Sequence, residues 1–124
     1  MSDKVIIGSN TFDTLVAVTE EEHSRGLMHK KWPPPVMIFP YKTADVRRFW
    51  MHQTPSPLDI IFCKGYKIID IKYGEPLSTR LIGPLEPVDL VIELPYGTAK
   101  NAGIKIGDDV SIVYSQNTLR KIYG

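Results

Sequence analysis

The side chains that could do chemistry gather in one stretch, Phe49-Trp50-Met51-His52-Gln53-Thr54-Pro55-Ser56-Pro57-Leu58-Asp59-Ile60-Ile61-Phe62. In an extended segment, residues two apart project to one side, so Trp50 and His52 share a face while Phe49 and Met51 share the other. The indole offers a flat floor for a sugar, a base or a peptide group, with His52, Thr54 and Asp59 as polar contacts at its rim. The competing reading is plain packing, with Trp50 in the core and His52 a half-buried imidazole whose hydrogen bonds are satisfied.

Two acids interrupt apolar runs: Asp59 follows Pro57-Leu58, and Glu93 sits within Val91-Ile92-Glu93-Leu94. A carboxylate in such surroundings needs partners. Asp59 by itself is expected to accept hydrogen bonds from backbone N–H groups of the Thr54 to Pro57 turn. If it meets Glu93 instead, two close carboxylates push one pKa up and create the acid–base pair that a hydrolase needs. His52, Asp59 and Glu93 are acceptable metal ligands, but their spacing matches no metal motif, and neither a metal nor another cofactor is expected. No catalytic nucleophile stands out. No serine occupies a strand-turn-helix elbow, and Cys63, beside Ile60, Ile61 and Phe62, reads as a buried, inert thiol. His23 and His29 flank a helix end and read as solvent-exposed.

These residues must be positioned by strands. Lys4 to Gly8 and Thr11 to Val18, separated by Gly8-Ser9-Asn10, read as a hairpin. Thr19-Glu20-Glu21-Glu22 has the capping-box pattern, so a short helix should start there, run to about Arg25 and stop at Gly26. Three consecutive prolines make Lys31 to Pro35 a loop of polyproline character. Val36 to Phe39 is a strand candidate ended by Pro40, and Val46 to Met51 is expected beside it in the same sheet. Leu58 to Lys64 and Lys67 to Lys72, turned at Gly65-Tyr66, make the clearest hairpin. Val88 to Leu94 is a further strand, and Thr98 should cap one helical turn over Ala99 to Ala102. Asp109 to Ser115 and Leu119 to Tyr123 are expected as a last hairpin. Many short strands and closely spaced turns predict a mainly β, compact single domain over residues 1–124, a β-sandwich or small β-barrel carrying one or two short helices.

Fifteen basic and fourteen acidic side chains leave a net charge of +1, so no global field draws in nucleic acid or an anionic membrane. A lone cysteine excludes an intrachain disulfide. No stretch reaches the roughly 20 apolar residues of a membrane span, and no apolar leader precedes Lys4. A soluble protein of cytoplasmic location is therefore expected.

The chain resembles the family called domain of unknown function 192, also known as uncharacterised protein family 0127. The resemblance rests on Arg25-Gly26-Leu27-Met28 after an acidic helix, Met37-Ile38-Phe39, Phe49 to Thr54 leading into Pro57 to Phe62, Val91 to Leu94 with Gly97, and Gly103-Ile104 with Gly107-Asp108. It implies a compact, mainly β fold and no activity, since the family has no established reaction, cofactor or substrate. Similar proteins occur in bacteria, archaea and phages, many of the bacterial ones with an export leader. His52-Gln53 departs from the Lys-Asn pair common in the family, Pro33-Pro34-Pro35 replaces a more acidic loop, and the leader is missing.

Three functional classes follow. The first is a non-enzymatic domain that binds a small ligand, peptide or glycan in a groove around Trp50, His52, Thr54, Asp59 and Glu93. The second is a structural or assembly protein, phage-encoded and virus-associated, whose Trp32-Pro33-Pro34-Pro35 loop meets a second copy or another protein. The third is a hydrolase using Asp59 and Glu93.

Overall fold

The computed structural model describes residues 2–124. Seven strands form one sheet: β1 (Lys4–Ile7), β2 (Asn10–Val16), β3 (Val36–Val46), β4 (Leu58–Lys64), β5 (Lys67–Gly74), β6 (Pro87–Pro95) and β7 (Val110–Val113). Three helices accompany them: α1 (Glu20–Arg25), α2 (Thr98–Asn101) and α3 (Gln116–Tyr123). The strand order is β5-β4-β6-β3-β2-β1-β7. The sheet curls until its two ends meet, through a bridge between Lys67 and Asp109 and the bond from Ile68 N–H to the Asp108 carbonyl at 3.0 Å. The molecule is mainly β, as expected, and barrel-like rather than two stacked sheets.

Curling gives the central strands two covered faces, which is why β4 is buried from Leu58 to Cys63. Inside the curl, Ile38, Ile61, Ile92 and Leu94 pack with Val5, Ile7, Ile68 and Val110. On the outer face, Met37, Phe39, Ile60, Phe62 and Val91 pack under Leu27 and Met51. Leu27 follows α1, and Met51 belongs to the irregular segment 47–57.

Helix α1 forms where the capping box requires it. The Thr19 hydroxyl accepts from Glu22 N–H at 3.1 Å, and the Glu22 carboxylate accepts from Thr19 N–H at 3.0 Å and from Val18 N–H at 2.9 Å. Those amides hold the Glu22 carboxyl down at about 2. Gly26, at φ 48°, ends the helix. The two predicted hairpins β1–β2 and β4–β5 are present, the second with a register shift between Phe62 and Cys63.

Three expectations need correction. Strand β3 does not stop at Pro40 but continues to Val46, with a register shift against β6 between Pro40 and Asp45. Its pairing with β2 ends at Ile38, so a residue without an N–H falls at a bulge on a strand edge that has lost its neighbour. Val46 to Met51 is not a neighbouring strand. It crosses the outer face with one bridge, Phe49 to Ile82, and a bond from Met51 N–H to the Ser78 carbonyl at 2.8 Å. Leu119 to Tyr123 is helical: Ser115 caps α3 by accepting from Thr118 N–H at 3.2 Å, and β7 pairs with β1 instead. The described residues hold three short helices beside the sheet. Among the described residues, no helix is long and apolar enough to cross a membrane.

Candidate functional site

In the antiparallel β4–β6 pair, Asp59 stands opposite Leu94 while Ile60 stands opposite Glu93. Residues directly opposite share a face and successive residues alternate, so Asp59 points into the curl and Glu93 points to the outer face. The two carboxyls are separated by the sheet and form no pair. The alternative of an Asp59–Glu93 acid–base couple is ruled out on that geometry, and the weaker possibility of a metal site joining His52, Asp59 and Glu93 goes with it. Among the described residues, no cluster of three or more His, Cys, Asp or Glu side chains is arranged to hold a metal.

Asp59 is 8% exposed, and its carboxylate accepts from Ala99 N–H at 2.9 Å. Burial raises its pKa, and the amides of Ala99 and Gly97 oppose that rise. The partners are thus the first amides of α2 rather than the Thr54 to Pro57 turn, and Asp59 anchors that turn of helix to β4.

Glu93 has a different environment. It is 4% exposed and makes no hydrogen bond or ion pair with any described residue. Burial alone pushes its pKa up to about 8. It lies at the floor of a groove of about 220 Å3 on the outer face, between the C-terminal end of α1 and segment 48–54. Trp50, His52 and Thr54 line the same groove, so four of the five residues singled out from the sequence come together and Asp59 does not.

Their positions follow from the alternation expected in the sequence. Met51 is fully buried and Phe49 partly so, which turns Trp50 outward with 47% exposure. The Trp50 and His52 rings lie 4.7 Å apart, tilted by 31°. Thr54 is buried, its N–H bonded to the Met51 carbonyl at 3.0 Å and its hydroxyl to the His52 carbonyl at 3.1 Å, which closes the turn holding the rim.

The remaining wall comes from residues that sequence reasoning missed or placed elsewhere. Tyr41, His23, Phe39 and Phe49 make successive edge contacts at 4.9, 5.7 and 5.0 Å. Phe39 and Tyr41 extend the outer face of β3 that Met37 begins, a signal hidden by ending the strand at Pro40. His23 is half-buried rather than exposed. Its Nε2 contacts the Ala17 carbonyl at 2.8 Å, and burial lowers its pKa, keeping the ring neutral. The guanidinium of Arg47 covers Tyr41 at 3.7 Å from the ring centroid. Cys63 is buried, with its thiol raised to about 12, in keeping with an inert side chain.

A second, larger concavity of about 810 Å3 lies between β3 and α3, walled by Tyr41, Tyr66, Tyr114 and Tyr123. Two of its charged groups already have partners: Lys121 meets Glu22 at 3.0 Å, and Asp89 accepts from Gly65 N–H at 3.2 Å. The smaller groove is the better candidate because its buried carboxyl has none.

The sequence pattern of the DUF192 family, described as an uncharacterized ACR, matches residues 4–112. The chain belongs to that family. A crystal structure of a protein of unknown function from Novosphingobium aromaticivorans DSM 12444 is 30% identical, with a TM-score of 0.82 over 87% of this chain and 83% of that one. A protein of Sinorhizobium meliloti 1021, described as a candidate transcription regulator, is 28% identical, with a TM-score of 0.82 over 90% of this chain and 93% of that one. No curated protein matches the chain.

Proposed function

We propose that this DUF192 chain is a non-enzymatic binding domain whose ligand enters the outer-face groove lined by Trp50, His52, Thr54 and Glu93. The observation that carries the reading is Glu93, a buried carboxyl with no hydrogen-bond or ion-pair partner among the described residues, at the floor of an open concavity. A polar group in that position costs the free protein stability unless a ligand satisfies it. Trp50 supplies a half-exposed aromatic surface at the rim. Without a second carboxylate on the same face, a paired-acid hydrolase has no support.

The test is a thermal-shift panel of metabolites, glycans and peptides, read together with the emission of Trp50 after Trp32 is replaced by Phe. A true ligand should raise Tm with increasing concentration, perturb the emission, and lose both effects in Trp50→Ala. No response across the panel would refute the reading.

An assembly role keeps separate support from Trp32, Leu77, Leu81 and Leu85, all well exposed. Light scattering separates the two readings, since a strict monomer without a co-purifying partner counts against assembly. The regulator description belongs to the Sinorhizobium protein, and the net charge of +1 here gives no general attraction for nucleic acid.

A further inference from the structure

The groove has three properties that together select a chemistry. Its floor carries Glu93, which when ionised offers only acceptor oxygens. Its walls are rings whose faces are electron-rich, and one of them, Tyr41, already carries a cation on its face in the form of Arg47. Its volume of about 220 Å3 admits a short chain or a side-chain tip rather than a large metabolite.

The chain's own cations do not complete this site. Arg25 lies 3.9 Å from Glu21, Arg48 donates to the Leu81 carbonyl at 3.3 Å, and Arg47 donates to the Thr43 carbonyl at 2.8 Å. None of them forms an ion pair with Glu93. His23 and Tyr41 face it from α1 and β3 as neutral rings, and His52 stacks on Trp50 at the rim.

We propose that the groove takes a primary alkylammonium group, its N–H donors on the Glu93 carboxylate and its methylenes against the aromatic wall. This rests on the binding reading above and names its ligand class. Burying an ammonium is tolerable only when it is paired and hydrogen-bonded, and the floor supplies that pairing. A carboxylate ligand would meet Glu93 as a like charge. A free amine and a lysine side chain present the same group.

The test is a titration at about pH 8.5, where a butylamine stays protonated, following Trp50 emission in a Trp32→Phe background and calorimetric heat. The probes are n-butylammonium, 1-butanol as its neutral counterpart, butyrate as the anion, and N-acetyl-lysine amide for the peptide-borne source. Butylammonium or the lysine derivative should bind roughly tenfold or more tightly than 1-butanol, and Glu93→Gln should remove that preference without lowering Tm. Whichever of the two amines binds more tightly identifies the source. Equal binding of 1-butanol, or preferential binding of butyrate, overturns the cation assignment while leaving a binding groove in place. Silence from all four probes also overturns it, and the broader ligand panel then decides the fate of the groove itself.

Discussion

Glu93 and Asp59 are both buried acids on neighbouring central strands, yet their environments set opposite expectations for mutation. The Glu93 carboxyl titrates near 8 in the folded chain against an ordinary value of 4.5. Between those limits the folded protein holds a proton that the unfolded chain has lost, so this group makes stability fall as pH rises from about 4.5 to about 8. His23 acts in the opposite sense. Its lowered pKa makes stability fall as pH drops below its ordinary 6.5. Urea unfolding at several pH values should show the wild type losing a few kcal/mol toward pH 8. Glu93→Gln should abolish that alkaline decline and keep the acid limb; an unchanged alkaline slope would refute the assignment. For Asp59 the expected loss is structural. Asp59→Ala leaves the Ala99 amide unsatisfied and should cost about 1–3 kcal/mol in urea unfolding. It should leave the ligand response of Trp50 intact, since Asp59 lies across the sheet.

At the scale of elements, the site depends on how segment 47–57 is pressed against the sheet. Gly74 on β5 makes room for Met51: a Cβ there would stand 2.8 Å from the Met51 sulfur and 3.1 Å from its methyl. Gly74→Ala should therefore displace Met51, cost about 1–3 kcal/mol by overpacking, and shift Trp50 emission even without ligand. Emission and stability both equal to wild type would show that Met51 does not position the rim. Helix α1 contributes through its end. Gly26 lets the chain turn so close to the sheet that an added Cβ would lie 3.5 Å from the Phe39 ring and 3.9 Å from a Glu93 oxygen. The capping box that starts this helix was legible as four consecutive residues, because its hydrogen bonds are local. The helix over 116–123 was not. Its start depends on Ser115 together with Asp3, and no sequence window contains both.

Across the whole molecule, Asp3 joins the two chain ends. Its carboxylate accepts from Ser115 N–H at 2.7 Å and from the Thr118 hydroxyl at 2.8 Å. Asp3→Ala should lower stability by about 1–2 kcal/mol in urea unfolding. Hydrogen exchange should then rise in α3 and leave the groove unaltered; uniform exchange across the chain would contradict that separation. The same long-range closure gives the curled sheet its two buried faces, one filled by strand residues together with Ala99 and Ile104 and one covered by α1 and segment 47–57.

The sequence by itself determined the β content, the two β-hairpins, helix α1 and the shared side of Trp50 and His52, whereas the outward orientation of that side came from the tertiary packing of Met51. Each of the former follows from alternation, turn residues or capping within a few positions, where the physics is local. Tertiary structure alone decided that Glu93 faces a groove while Asp59 faces α2. The side on which a strand residue emerges depends on which strand lies opposite and on what covers each face, and those partners come from distant parts of the chain.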